Sequence, residues 1–198
     1  MSQSSARDLL TTTHRRVQAA DIDAGVVGMS RIGRTVLAAP AASITFSAIP
    51  QTYSTLMLVV VGRGDSAVAS VTLGMRLNGD VGNNYEDQQV YGNGIAAAAV
   101  ERVAAAFNQI GYVPGSTMPA NLPGQAVVLL GDYTGTAFKK VWTSENHHRL
   151  AAGAGGGYTA VFSGAYTLAT PAAVTSLTVL SATGNLIIGS TATLYGVY

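Results

Sequence analysis

Val71-Thr72-Leu73-Gly74-Met75-Arg76-Leu77 alternates apolar and other side chains over seven positions and runs into Asn78-Gly79. A period of two places Val71, Leu73, Met75 and Leu77 on one face of a strand. Asn-Gly is the turn pair a tight hairpin favours. Ser43-Ile44-Thr45-Phe46-Ser47 alternates in the same way and ends at Ile49-Pro50. Leu56-Met57-Leu58-Val59-Val60-Val61 is a continuous apolar run closed by Gly62, which predicts a strand buried on both faces. Further strands are expected over residues 125–131, 138–143, 158–162, 176–180, 186–188 and 191–198, each bounded by Gly, Pro, Asn or Asp. Eight or nine short strands so separated predict an all-β chain, an antiparallel β-sandwich or barrel. The expected core is Ile44, Phe46, Leu58, Val71, Leu73, Met75, Leu77, Val128, Leu177, Val179 and Leu194.

Residues 95–110 conflict with that pattern. They are Ala-rich, and Val100, Val103, Phe107 and Ile110 recur at helical spacing. Val103, Ala105, Phe107 and Gln109 also alternate, but composition favours a helix.

The first forty residues are of a different kind. They carry Arg7, Arg15, Arg16, Arg31 and Arg34, no aromatic side chain, and breaks at Gly25, Gly28, Gly33 and Pro40. A short helix over 5–11, capped by Ser4 or Ser5, fits the start. The expected organisation is an extended or partly helical N-terminal arm over 1–41 and a sandwich domain over 42–198. The arm is read as a docking segment, with Arg15 and Arg16 for charged contacts and Val26, Val27 and Met29 as apolar anchors.

Of the 198 residues, 48% are apolar and 11% charged, against about 25% charged in an ordinary soluble domain. Disorder is excluded by that balance, and a free enzyme with a charge-rich surface is disfavoured. The net charge of +1 is without clustered Lys and Arg, so no nucleic-acid footprint is present. Zero Cys excludes disulfides, thiolate metal sites and a cysteine nucleophile. The polar start predicts no signal peptide. The six-residue apolar run 56–61 is far short of the roughly 20 residues that cross a bilayer, so no membrane span is expected.

Chemistry-bearing clusters are few. Glu145-Asn146-His147-His148-Arg149 reads as a polar turn, and adjacent His residues on a strand would point to opposite faces. Residues 78–87 offer oxygen ligands but no EF-hand spacing. They also fit a tight loop, and no metal or cofactor is expected. Asn84, Tyr85, Asp87 and Tyr91 form a candidate ligand loop, able to meet a sugar. Arg63-Gly64-Asp65 follows a strand and reads as a turn. Gly153-Ala154-Gly155-Gly156-Gly157 lacks a P-loop Lys and reads as a loop. No catalytic residue is assigned.

Three stretches together resemble a group of tailed-bacteriophage structural proteins, variously minor tail, tail-fibre or capsid-associated. They are residues 43–56; Met75 to Asp80 with Asn84-Tyr85; and residues 174–179 with 189–197. The resemblance covers about residues 42–198. It implies a jelly-roll-like sandwich, a virion location, no enzyme activity, and partners among other capsid or tail proteins. It also implies that residues 95–112 are partly strand. A homo-oligomer is the default for such a subunit, and a trimer suits capsid and fibre symmetry. The alternative is a glycan-binding host-recognition module on a phage tail.

Overall fold

A computed structural model describes residues 28–149 and 156–198. The described residues form twelve strands and no helix: β1 Met29–Val36, β2 Ser43–Phe46, β3 Thr55–Gly62, β4 Ser70–Leu77, β5 Tyr85–Gly92, β6 Ala97–Ala105, β7 Asn108–Pro114, β8 Gly124–Gly131, β9 Lys140–Arg149, β10 Gly157–Tyr166, β11 Leu177–Ser181 and β12 Thr191–Val197. They build two antiparallel sheets. One has eight strands in the order β1-β12-β3-β8-β9-β10-β5-β6; the other has four in the order β2-β11-β4-β7.

The pairing is nested. β1 pairs with β12, β2 with β11, β3 with β8 and β4 with β7. Successive pairs alternate between the two sheets, as when one long hairpin is rolled up. That is the jelly-roll arrangement. Two hairpins are inserted into it, β5–β6 between β4 and β7, and β9–β10 between β8 and β11. They zip together through β10 and β5 and widen the large sheet beyond β8.

The core lies between the sheets, and all eleven expected core residues are buried there. β4 buries Val71, Leu73, Met75 and Leu77 completely. Its Asn78-Gly79 turn has both residues at positive φ, 54° and 69°, as a type I′ turn requires, but it carries the chain from the small sheet to β5 in the large one rather than closing a hairpin. β3 departs from expectation. Leu56, Leu58 and Val60 are buried, but Thr55, Met57, Val59 and Val61 are only half-buried, because no layer of described residues covers the outer face of the large sheet. Residues 186–188 form no strand; Leu186 makes isolated bridges to Ala41 and Gly64.

Residues 95–110 are not a helix. They contribute β6 and the start of β7, and the ladder with β5 is irregular between Arg102 and Ala105, where Ala104 has φ 50°. Helix propensity is worth tenths of a kcal/mol per residue, and β5 offers this segment a full ladder of partners. The expected arm boundary at residue 41 also shifts. β1 lies inside the arm range yet is an edge strand of the large sheet, Ile32 packs on the core, and Leu37 is buried. Met29 sits in β1 opposite Val197, more than half exposed. Arg15, Arg16, Val26 and Val27, with the helix expected over 5–11, lie outside the described residues.

Candidate functional site

The candidate ligand loop does not form as one site. Tyr85 and Asp87 alternate inward on β5 and are buried. The Tyr85 hydroxyl donates to the Asp80 carbonyl at 3.0 Å, and its ring stacks on Tyr166 at 4.9 Å. Burial pushes the Tyr85 hydroxyl up to about 12. Asn84 donates its side-chain amide to Asp80 Oδ2 at 2.8 Å. The same carboxylate accepts from the Gly82 N–H at 2.7 Å and the Tyr166 hydroxyl at 2.9 Å. These bonds, Asn84 first and Gly82 next, hold Asp80 below the usual carboxylate range. The oxygen-rich loop therefore spends its acceptors on its own turn, and no group of three metal-ligating side chains occurs among the described residues.

Asp87 performs a second structural task. Its carboxylate takes a two-pronged contact from Arg102, at 3.0 Å to Nε and 2.7 Å to Nη2, and a 2.9 Å bond from the Gln109 N–H. Arg102 also donates to the Phe107 carbonyl and lies 4.9 Å from the Phe107 ring centre. One ion pair thus ties β5, β6 and the entry to β7 together. On the other side of Asp87, a Cβ on Gly164 would run into the Glu86 carbonyl, so the backbones here approach as closely as only glycine permits.

The polar segment 145–149 is not a turn. It continues β9, whose inward face is Lys140, Trp142, Ser144, Asn146 and His148. That inversion has a cause. β7 is an edge of the small sheet and lies over β9, so its free carbonyls need partners. Ser144 Oγ donates to the Ile110 carbonyl at 2.6 Å and Asn146 Nδ2 to the Tyr112 carbonyl at 2.9 Å. The large sheet so caps the edge of the small one, which blocks strand addition there. Lys140, also buried, donates to the carbonyls of Asp132 and Gly135 and closes that turn.

His147 and His148 point to opposite faces, one exposed and one buried. His148 Nε2 lies 2.7 Å from Ser70 Oγ, and Nδ1 is buried without a partner. A buried orphan N–H costs more than an orphan lone pair, so the proton belongs on Nε2 and Ser70 accepts it. In that tautomer the imidazole does not take a proton from the serine. Burial lowers His148 to about 4, with the neighbouring His147 adding to the shift. An unfolded histidine titrates near 6.5. Below that pH the unfolded chain takes up a proton that the fold refuses until about pH 4. Stability is therefore complete above pH 6.5 and falls on acidification through that window, at up to about 1.4 kcal/mol per pH unit. We expect the denaturant midpoint to drop between pH 6.5 and 4.5, and to drop less in His148→Gln. Parallel curves for the two proteins would refute this.

Beside His148 an open groove of about 270 Å³ runs between β7 and the inserted hairpins. It is lined by Ser70, Gln89, Tyr91, Val100, Tyr112 and Tyr158, with Asn93 at its end. Tyr91 and Tyr158 stack at 5.1 Å, and Tyr112 meets Tyr158 edge-on at 5.2 Å. The Tyr112 hydroxyl donates to Gln89 at 3.1 Å. Of the candidate ligand residues, Tyr91 alone lines this groove. Sequence alternation could have found Gln89 beside it, but Tyr112 and Tyr158 arrive from distant strands. The tripeptide 63–65 is likewise occupied: Arg63 donates to the carbonyls of Met118 and Pro119 at 2.6 Å each, and Asp65 accepts from the Asn185 N–H at 2.7 Å.

Comparison with protein-family models gives no match, and comparison with curated proteins gives none. Among solved structures, that of infectious bursal disease virus Gx strain aligns at 14% identity over 87% of this chain and 39% of the viral chain, with a TM-score of 0.12. The chain thus spans about two fifths of that viral chain's length, and a score of 0.12 carries no argument.

Proposed function

We propose that the chain is a structural virion subunit of a tailed bacteriophage, a capsid decoration or a head or tail appendage held by protein–protein contacts. The observation that carries this reading is the nested jelly-roll pairing, an architecture widely used for capsid and lectin domains; the step from fold to role is by analogy. The sequence resemblance supports it. The stretches that carry it meet in space: β2, β11 and β4 are neighbours, Asn78 accepts from the Thr175 N–H, and Gln51 donates to the Val174 carbonyl. The clusters around Asp80, Asp87 and Asn146 are consumed in holding the fold, which fits a building block. The subunit would be non-enzymatic, a homo-oligomer, and attached through its N-terminal segment.

Deletion of residues 2–27 tests the attachment. The truncated protein should keep its β spectrum and melting temperature and fail to bind particles that lack it. Deletion of 2–36 would remove β1 as well and should lower the melting temperature. Attachment that survives the shorter deletion would place docking elsewhere.

The tyrosine groove favours a second reading, recognition of a host-surface glycan. Aromatic faces with amide side chains at the rim suit a pyranose ring, whose C–H face packs on an aromatic ring while its hydroxyls bond to amides. Binding on a glycan array that is lost in Tyr91→Ala would support it; an array without signal would remove it.

A further inference from the structure

Among the described residues the outer face of the eight-stranded sheet has no covering layer. Two rows of side chains cross it from edge to edge. One runs Arg31, Tyr195, Met57, Leu129, Thr143, Ser163, Gln88, Glu101. The next runs Arg34, Thr193, Val59, Val127, Glu145, Val161, Val90, Ala99. Val90, Val141 and Val161 on this face are each more than half exposed. Met57, Val59, Leu129 and Val127 form an adjoining apolar patch on β3 and β8, and an exposed apolar patch on a sheet face marks an interaction site.

The charge on the face is polar in the vectorial sense. Arg31 and Arg34 stand on β1 at one edge, while Glu101 on β6 and Glu86 on β5 stand at the other. Glu145, His147 and Arg149 lie between, on β9. We propose that this face is a two-fold interface with a second copy of the chain, the two large sheets stacked face to face with the axis parallel to the strands. This goes beyond the virion reading and does not rest on it.

Three observations select a second copy. The first is charge. An axis parallel to the strands keeps each row in register and reverses the strand order. Arg31 then faces the partner's Glu101, and Glu101 faces the partner's Arg31. The second is shape. Beside Glu101 the face holds a trough of about 720 Å³, lined by Gln88, Thr143 and Ser163 among others. The reversed order sets the partner's Tyr195, the one aromatic side chain of its row, over Gln88. The third is area. Eight strands at about 4.8 Å spacing and seven residues at about 3.3 Å rise present roughly 900 Å² a copy. Twice that falls within the 1,200–2,000 Å² typical of stable interfaces, and stacked twisted sheets keep their strands within about 30° of one another. In the second row the reversal sets Arg34 over the partner's Ala99, at the rim, and Glu145 over the partner's Val127, where the two copies of Glu145 flank the axis without a cation, so Glu145→Gln should tighten association.

Sedimentation velocity of the full chain tests this by charge exchange. The wild-type protein should be a dimer. Arg31→Glu and Glu101→Arg should each raise the dissociation constant about tenfold or more, and the double variant should recover most of that loss. Both positions are exposed, and melting curves of the variants check that they fold. A wild-type monomer at the highest soluble concentration, a trimer, or a double variant as weak as the singles would overturn the proposal. A monomer that dimerises only after removal of residues 2–27 would assign the face to the chain's own N-terminal segment, and would overturn it too.

Discussion

Leu73→Asp should leave no soluble folded protein. Leu73 is fully buried on β4, in the middle of the small sheet's inner face, with Val71 and Met75 on either side. Its cross-strand neighbours are Gly111 on β7 and Ser181 on β11, and neither supplies a cation. A carboxylate there loses its hydration without a partner, at a cost of several kcal/mol per ion. The lost leucine adds a further 2–5 kcal/mol. The sum is comparable to the whole stability of a domain, about 5–15 kcal/mol. Thr45→Asp is the control: it sits on the exposed face of the same sheet, where it loses one hydrogen bond to Thr178. Soluble expression and circular dichroism separate the two. A folded Leu73→Asp protein would mean that β4 presents its other face to the core.

Arg102→Leu should cost about 3–5 kcal/mol, the usual penalty for stranding a buried charge. Asp87 is 5% exposed and would keep only the Gln109 N–H as a partner. The damage should be local first. β6 has one neighbouring strand, and Arg102 is the contact that locks it to Asp87 and to the Phe107 carbonyl. Hydrogen exchange should therefore report early opening of residues 97–105, while β3, β4 and β12 stay protected. The double variant Asp87→Leu/Arg102→Leu should be more stable than Arg102→Leu alone, because the stranded carboxylate has gone. Denaturant midpoints that place the double variant below the single one would show that the pair is not the lock described here.

The jelly-roll body was legible wherever one face of a strand is apolar and the other is not. β2, β4, β11 and β12 declare their inner faces by alternation, with Asn78-Gly79 after β4 and Gly184-Asn185 between β11 and β12 marking turns. The hydrophobic effect is local enough in such strands for the side-chain period alone to decide the fold class. The inserted hairpins were legible only in part: strands were expected over 138–143 and 158–162, overlapping β9 and β10, while β5, β6 and the second half of β9 were not, and the reason is physical. β9 buries Ser144, Asn146 and His148 and exposes Val141; β5 buries Asp87 and Gln89 and exposes Val90. Their inner faces meet the open edge of β7 and the guanidinium of Arg102 rather than a hydrocarbon layer. Polarity inside is then favourable, and the sequence pattern reads inside out. β6 is the extreme case, an Ala-rich stretch whose helix propensity yields to a ladder with β5.

For the candidate sites the division is similar. Single residues could be nominated from the chain, but burial decided their roles. Tyr85 and Asp87 look like ligand groups in sequence and are interior struts. Tyr91 became part of a groove only when β7 and β10 brought Tyr112 and Tyr158 beside it. By itself the sequence determined an all-β chain with the pattern of an antiparallel sandwich or barrel, its core residues and a surface poor in charge, because these follow from side-chain period and composition. Tertiary structure alone decided the eight-and-four division of strands, the polar seam beneath β7 and the line from Arg31 to Glu101, because each joins residues from strands far apart in the chain, which no local pattern encodes.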